Sequence, residues 1–144
     1  MNFPRVALAA IVAWIVYLGV SFLVHGLLLS ELYQQHAAHT RPEDAQMAIL
    51  PIGLGLALVG FFAFSYAYAK GYEGGSGVQE GLRFGVLVGL MLCTFAATFQ
   101  YMVWPVSTSL LIAWLLDYVL EFALYGMVVG LIYRPLASHV RRLA

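Results

Sequence analysis

Charge is what this chain has least of. Only 10% of its 144 residues are Asp, Glu, Lys or Arg, seven of each sign, and 62% are hydrophobic. Soluble globular domains carry about 25% charged residues, so that class is excluded. There is no basic excess to neutralise phosphates, and no nucleic-acid partner is expected. The single cysteine, Cys93, rules out an intrachain disulfide. No nucleophile, base and orienting group fall at a hydrolase-like spacing. The glycine-rich stretch 70–81 lacks the Gly-Lys-Ser/Thr ending of a phosphate-binding loop and follows an apolar run rather than a strand, so it reads as a flexible hairpin turn. The apolar runs hold one histidine, His25, where a bis-histidine haem needs two at matched depth. The chain is therefore read as non-catalytic and without a cofactor.

Long apolar runs are what it has in abundance. Four reach the roughly 20 residues that cross a bilayer as a helix, at about 6–29, 48–69, 84–104 and 109–133. They leave no stretch for a soluble domain, so the expected fold is a single all-α membrane domain, an antiparallel bundle of four spans. The first run is too long for a secretory signal, has no small-residue cleavage pattern, and is read as retained. Arg5, Lys70, Arg83, Arg134, Arg141 and Arg142 flank the spans on one side and Arg41 alone lies on the other. The positive-inside rule then places both termini in the cytoplasm of a multi-pass protein of the bacterial inner membrane. Loop 70–83 is inner and loop 30–47 outer. Arg134, His139, Arg141 and Arg142 form a basic tail for anionic headgroups, about 1 kcal/mol per charge.

In the outer loop, Thr40-Arg41-Pro42-Glu43 fits a capping box with Thr40 as N-cap. His36 and His39 are the candidates there for a metal, but Pro42 breaks the register that would bring Glu43 to them, and no metal is expected. Gly81, Gly85 and Gly89 recur every four residues in the third run, as do Gly126 and Gly130 in the fourth. Small residues at that spacing let helices approach closely, within the chain or against another subunit.

The scarce charges include two in the costliest place. Asp117 and Glu121 lie one helical turn apart inside the fourth run. Counting about 1.5 Å per residue from each midpoint puts Glu121 near the bilayer centre, Asp117 about 5 Å outward, and Gln100 and His25 about 10 Å outward. On helical spacing, Tyr17, Ser21 and His25 form a polar stripe on the first run and Thr94, Thr98 and Tyr101 one on the third. These stripes are expected to meet the acids in the bundle interior. No Lys or Arg falls within the runs, and one histidine cannot neutralise two carboxylates. Glu121, the deeper acid, is thus expected to be protonated at neutral pH, with Asp117 paired to His25.

His25-Gly26, Tyr68-Ala69-Lys70-Gly71-Tyr72-Glu73-Gly74, Glu80-Gly81-Leu82-Arg83-Phe84-Gly85, the acidic fourth run and Ile132-Tyr133-Arg134-Pro135 carry a resemblance over most of the chain. In them it resembles a domain-of-unknown-function family of small bacterial four-span membrane proteins. That resemblance implies a fold and a membrane location and transfers no catalytic residue. Two functions remain open. One is an accessory or scaffold subunit whose glycine faces pack against other membrane subunits or a second copy. The other is a small proton- or cation-coupled transporter or channel using the intramembrane acids.

Overall fold

In hydrocarbon the backbone must satisfy its own amides, and the apolar runs do so as helices. The structure, a computed structural model, describes residues 1–133. The basic tail of Arg134, His139, Arg141 and Arg142 lies outside the described residues. Helix α1 (Phe3–Ser21) runs on into a π-helical turn (Phe22–Leu28), and a short α2 (Ser30–Gln34) follows. Helix α3 spans Glu43–Gly71. Helix α4 (Gly77–Leu92) passes through a second π-helical turn (Cys93–Ala97) into α5 (Thr98–Val103), and α6 spans Thr108–Ile132. No strand occurs among the described residues. Four stretches, Phe3–Leu28, Glu43–Gly71, Gly77–Val103 and Thr108–Ile132, are long and apolar enough to cross a membrane.

The helix starts are set locally. Asn2 Oδ1 accepts the Arg5 N–H, and Ser107 Oγ accepts the Leu110 N–H at 3.2 Å, each covering an amide that the first turn leaves open. The capping box expected at Thr40 does not form. Thr40 donates its hydroxyl to the Ala37 carbonyl, Pro42 is the N-cap of α3, and Gln46 donates to the Arg41 carbonyl. The 3-10 turn Ala37–His39 holds Thr40 back against its own turn, out of reach of the α3 amides.

The tightest packing joins α4 to α6. Gly77 faces Gly130, Gly81 faces Gly126, Gly85 faces Phe122 and Ala123, and Gly89 faces Tyr118 and Val119, each backbone against backbone. A Cβ added at Gly85 would stand 3.0 Å from Ala123 Cα, and one at Gly126 would stand 2.9 Å from Gly85 Cα. Glycine is required there by the neighbour, and all five glycines singled out from the sequence are spent within the chain. Helix α1 packs on α6 and α3 through Ala9, Ala10 and Ala13, fully buried, and Trp14 Nε1–H donates to the Leu54 carbonyl of α3 at 3.1 Å.

Tyr17, Phe61, Phe64, Phe84, Phe122 and Tyr125 pack in the middle of the bundle in edge-to-face and tilted pairs, with Phe61 and Tyr125 centroids 5.2 Å apart. Such pairs add about 0.5–1.5 kcal/mol each beyond the area they bury.

The loop after α3 is more ordered than the flexible turn its glycines suggest. The Glu80 carboxylate accepts the Glu73 N–H at 2.9 Å and the Gly75 N–H, Tyr72 donates to the Gly75 carbonyl, and Tyr68 donates to the Gly77 carbonyl. Gly74 turns the chain at φ +95°, a left-handed conformation that favours glycine. The loop amides thus face an anion that the chain itself supplies. Glu80→Ala is expected to speed hydrogen exchange at Glu73 and Gly75 about five- to tenfold, for bonds worth about 1 kcal/mol each. Unchanged exchange would show that the carboxylate does not hold the loop.

Candidate intramembrane cation site

Helix α6 carries the site. Its residues Trp114, Asp117, Tyr118, Glu121 and Tyr125 recur at three- and four-residue intervals, so they share one side of the helix. They line a chamber of about 390 Å3 with Tyr17, His25, Tyr33, Phe61, Gln100 and Phe122. Lysine and arginine are missing from this wall.

The π-helical turn Phe22–Leu28 brings His25 to the acids. Insertions of this kind shift the register of side chains and recur at functional sites. His25 Nε2 lies 3.4 Å from Asp117 Oδ2, and its Nδ1 is 2.8 Å from the Tyr33 hydroxyl. Trp114 Nε1–H donates to the same hydroxyl oxygen at 3.1 Å, which ties α2 to α6. Burial pushes the Tyr33 phenol above its ordinary value, so it stays neutral. One turn deeper, Tyr125, 1% exposed, donates to Glu121 Oε2 at 2.7 Å. Glu121 is itself 8% exposed, and its other oxygen, Oε1, is buried without a hydrogen bond. Ser21 turns its buried hydroxyl toward Tyr125. Oxygen and nitrogen atoms of His25, Asp117 and Glu121 all lie within 4.8 Å of one another.

A wider cavity of about 770 Å3 adjoins the chamber, and the two share His25, Tyr33, Gln100 and Trp114. Its mouth is formed by Ser30, Gln34, His36, His39, Thr40 and Arg41 on one side and Gln100, Trp104 and Val106 on the other. The connections at 29–42 and 104–107 are clamped across this mouth, because the Ser107 N–H donates to His36 Nε2 at 2.9 Å. His36 Nδ1–H meanwhile donates to the Leu32 carbonyl at 2.7 Å. Both its ring nitrogens are occupied, which makes the expected His36 and His39 metal candidates a structural clamp and its neighbour.

Of the expected network, the chamber gathers Asp117, Glu121, His25, Gln100 and Tyr17, with Ser21 just behind Tyr125. Thr94, Thr98 and Tyr101 do not join them. All three are exposed on the flank of the bundle, Thr94 returning its hydroxyl to the Leu90 carbonyl and Tyr101 pairing with Thr108 at 3.2 Å. The reason is steric: Gly81, Gly85, Gly89, Cys93 and Ala97 take the face that meets α6, which turns the threonines away. Tyr33 and Tyr118 are site residues that helical spacing within the runs missed. Tyr33 follows His25 by eight residues, about two helical turns, a signal hidden by reading 30–47 as loop.

These features define a class, a helical bundle of four membrane-length helices with a carboxylate and histidine cluster lining an internal chamber. No family model, no curated protein and no solved structure matches the chain.

Proposed function

We propose that the protein is a small carrier that takes a cation, a proton or a metal ion, from the outer face of the membrane onto Asp117 and Glu121. The observation that carries this reading is the pair of adjoining cavities with His25, Tyr33, Gln100 and Trp114 in common, one reaching His36 and Arg41 and the other lined by Asp117 and Glu121. Carboxyl groups at membrane depth are costly and are kept where they line a polar cavity and handle ions.

The topology that goes with it is antiparallel, with both termini inside a bacterial cytoplasmic membrane. The contacts of α4 with α6 support the first part, since partners on α6 fall from Gly130 to Tyr118 as positions on α4 rise from Gly77 to Gly89. Arg5, Lys70 and Arg83 against Arg41 support the second. An accessory or scaffold role draws its support from the glycine faces; those of α4 and α6 are occupied by the chain itself, while Gly53, Gly55 and Gly60 of α3 face open space.

Reconstituted into vesicles holding a pH dye or, in parallel, a divalent-cation dye, the chain is expected to dissipate an imposed gradient. Asp117→Asn with Glu121→Gln is expected to slow it at least about tenfold. Flux of neither ion, or flux untouched by the double substitution, would contradict the proposal.

A further inference from the structure

The spacing between His25 and Asp117 is long for a hydrogen bond, at 3.4 Å between Nε2 and Oδ2. It is the spacing of two ligands on one metal ion. Atoms held about 2.0–2.1 Å from a tetrahedral zinc stand about 3.3–3.4 Å apart. A Glu121 carboxylate oxygen completes the set, within 4.8 Å of the other ligand atoms, on a buried residue that lines the chamber.

We infer that His25, Asp117 and Glu121 form a binding site for a divalent transition-metal ion of the zinc class. This deepens the proposed function by naming the cation and rests on the same chamber. Charge favours a divalent ion. Two carboxylates and a neutral imidazole offset a charge of two, and no lysine or arginine in the wall competes for them. Ligand type points the same way, because one imidazole with two carboxylates suits zinc and its neighbours better than calcium or magnesium, which take oxygen alone.

The surrounding groups are those a metal site needs. Tyr33 sits on His25 Nδ1 and receives Trp114 Nε1–H from the other side, which holds the ring with Nε2 toward Asp117. An outer partner on the second ring nitrogen fixes the orientation of a metal-bound histidine. Tyr125 does the same for Glu121 through Oε2, leaving Oε1 without a hydrogen bond. Three protein ligands leave the fourth position to water, and the chamber adjoins the wider cavity. A site of this form exchanges its ion rather than locking it in as a structural zinc.

The test uses the full chain without a polyhistidine tag, purified in mild detergent and titrated with zinc against a chromophoric chelator. One zinc per chain is expected, with X-ray absorption showing a nitrogen and oxygen shell that includes a single imidazole. His25→Ala, Asp117→Asn and Glu121→Gln are each expected to weaken binding at least about tenfold, and Tyr33→Phe about tenfold, the scale of an outer-shell loss. Glu43→Gln, a carboxylate outside both cavities, is expected to leave it unchanged, and matching gel-filtration profiles establish that each variant is folded. Absence of zinc from the folded wild type, or zinc held equally by the three ligand variants, would overturn the assignment. Zinc binding without flux in vesicles would uphold the site and sink the carrier. Proton flux without zinc binding would do the reverse.

Discussion

Gly85→Val is expected to cost the protein more stability than any other single substitution proposed for it. A side chain at Gly85 meets the Phe122 carbonyl group and Ala123 Cα at 3.0 Å, and neither is the end of a side chain that can swing aside. Helix α4 must therefore back away from α6, opening the contacts at Gly81, Gly89 and Gly126 along the same seam. Overpacking of this kind costs about 1–3 kcal/mol even where side chains can yield, and here the resisting atoms are backbone. Gly85→Ala is expected to show a smaller loss in the same direction. Gly55→Ala is the control, because a Cβ there has nothing within 4 Å. Thermal melting in mild detergent reads the series, and the order Val, Ala, control is the expected one. Equal melting temperatures for Gly85→Val and Gly55→Ala would mean that the α4 and α6 backbones are not in contact.

The second large effect is on transport. Glu121→Gln keeps the volume of the side chain and an oxygen for the Tyr125 hydroxyl, so the bundle is expected to stay folded while its ion-binding charge is lost. Asp117→Asn has the same logic beside His25. Each is expected to lower cation flux at least about tenfold, equivalent to about 1.4 kcal/mol. Their combination is expected to behave like the single changes, because both remove one shared site and effects within a site do not add. Tyr125→Phe is different in kind. It strands a second oxygen of a carboxyl group that is 8% exposed, at a cost of about 1–3 kcal/mol, so both melting temperature and flux are expected to fall.

The sequence made some features legible and hid others, for physical reasons. The spans could be read because hydrocarbon allows a lone segment one solution, a helix of about 20 apolar residues. Asp117, Glu121 and His25 could be read because ionisable groups are expensive at that depth, whatever the rest of the fold does. The threonine stripe misled because helical spacing says which residues share a face and not which face turns inward. Glycine decided that, through a backbone contact that no polar pattern records. Tyr33 was hidden for another reason: the first span carries on through a π-helical turn and a short helix past the end of its apolar run. The clamp of His36 on Ser107 joins two loops 71 positions apart. Only the folded chain brings those together.

Thiol accessibility reads whether water reaches the Asp117 and Glu121 chamber from the Arg41 side of the membrane. Gln100 lines both the mouth and the chamber, so in a Cys93→Ser background Gln100→Cys is the reporter, with exposed Thr94→Cys on the lipid-facing flank as reference. A small, charged, membrane-impermeant thiosulfonate reacts with a thiol only where water ionises it. Gln100→Cys is expected to be labelled from the face that also labels Arg41→Cys, while Thr94→Cys is not. An unreactive Gln100→Cys, or one labelled only from the face that labels Lys70→Cys, would contradict it.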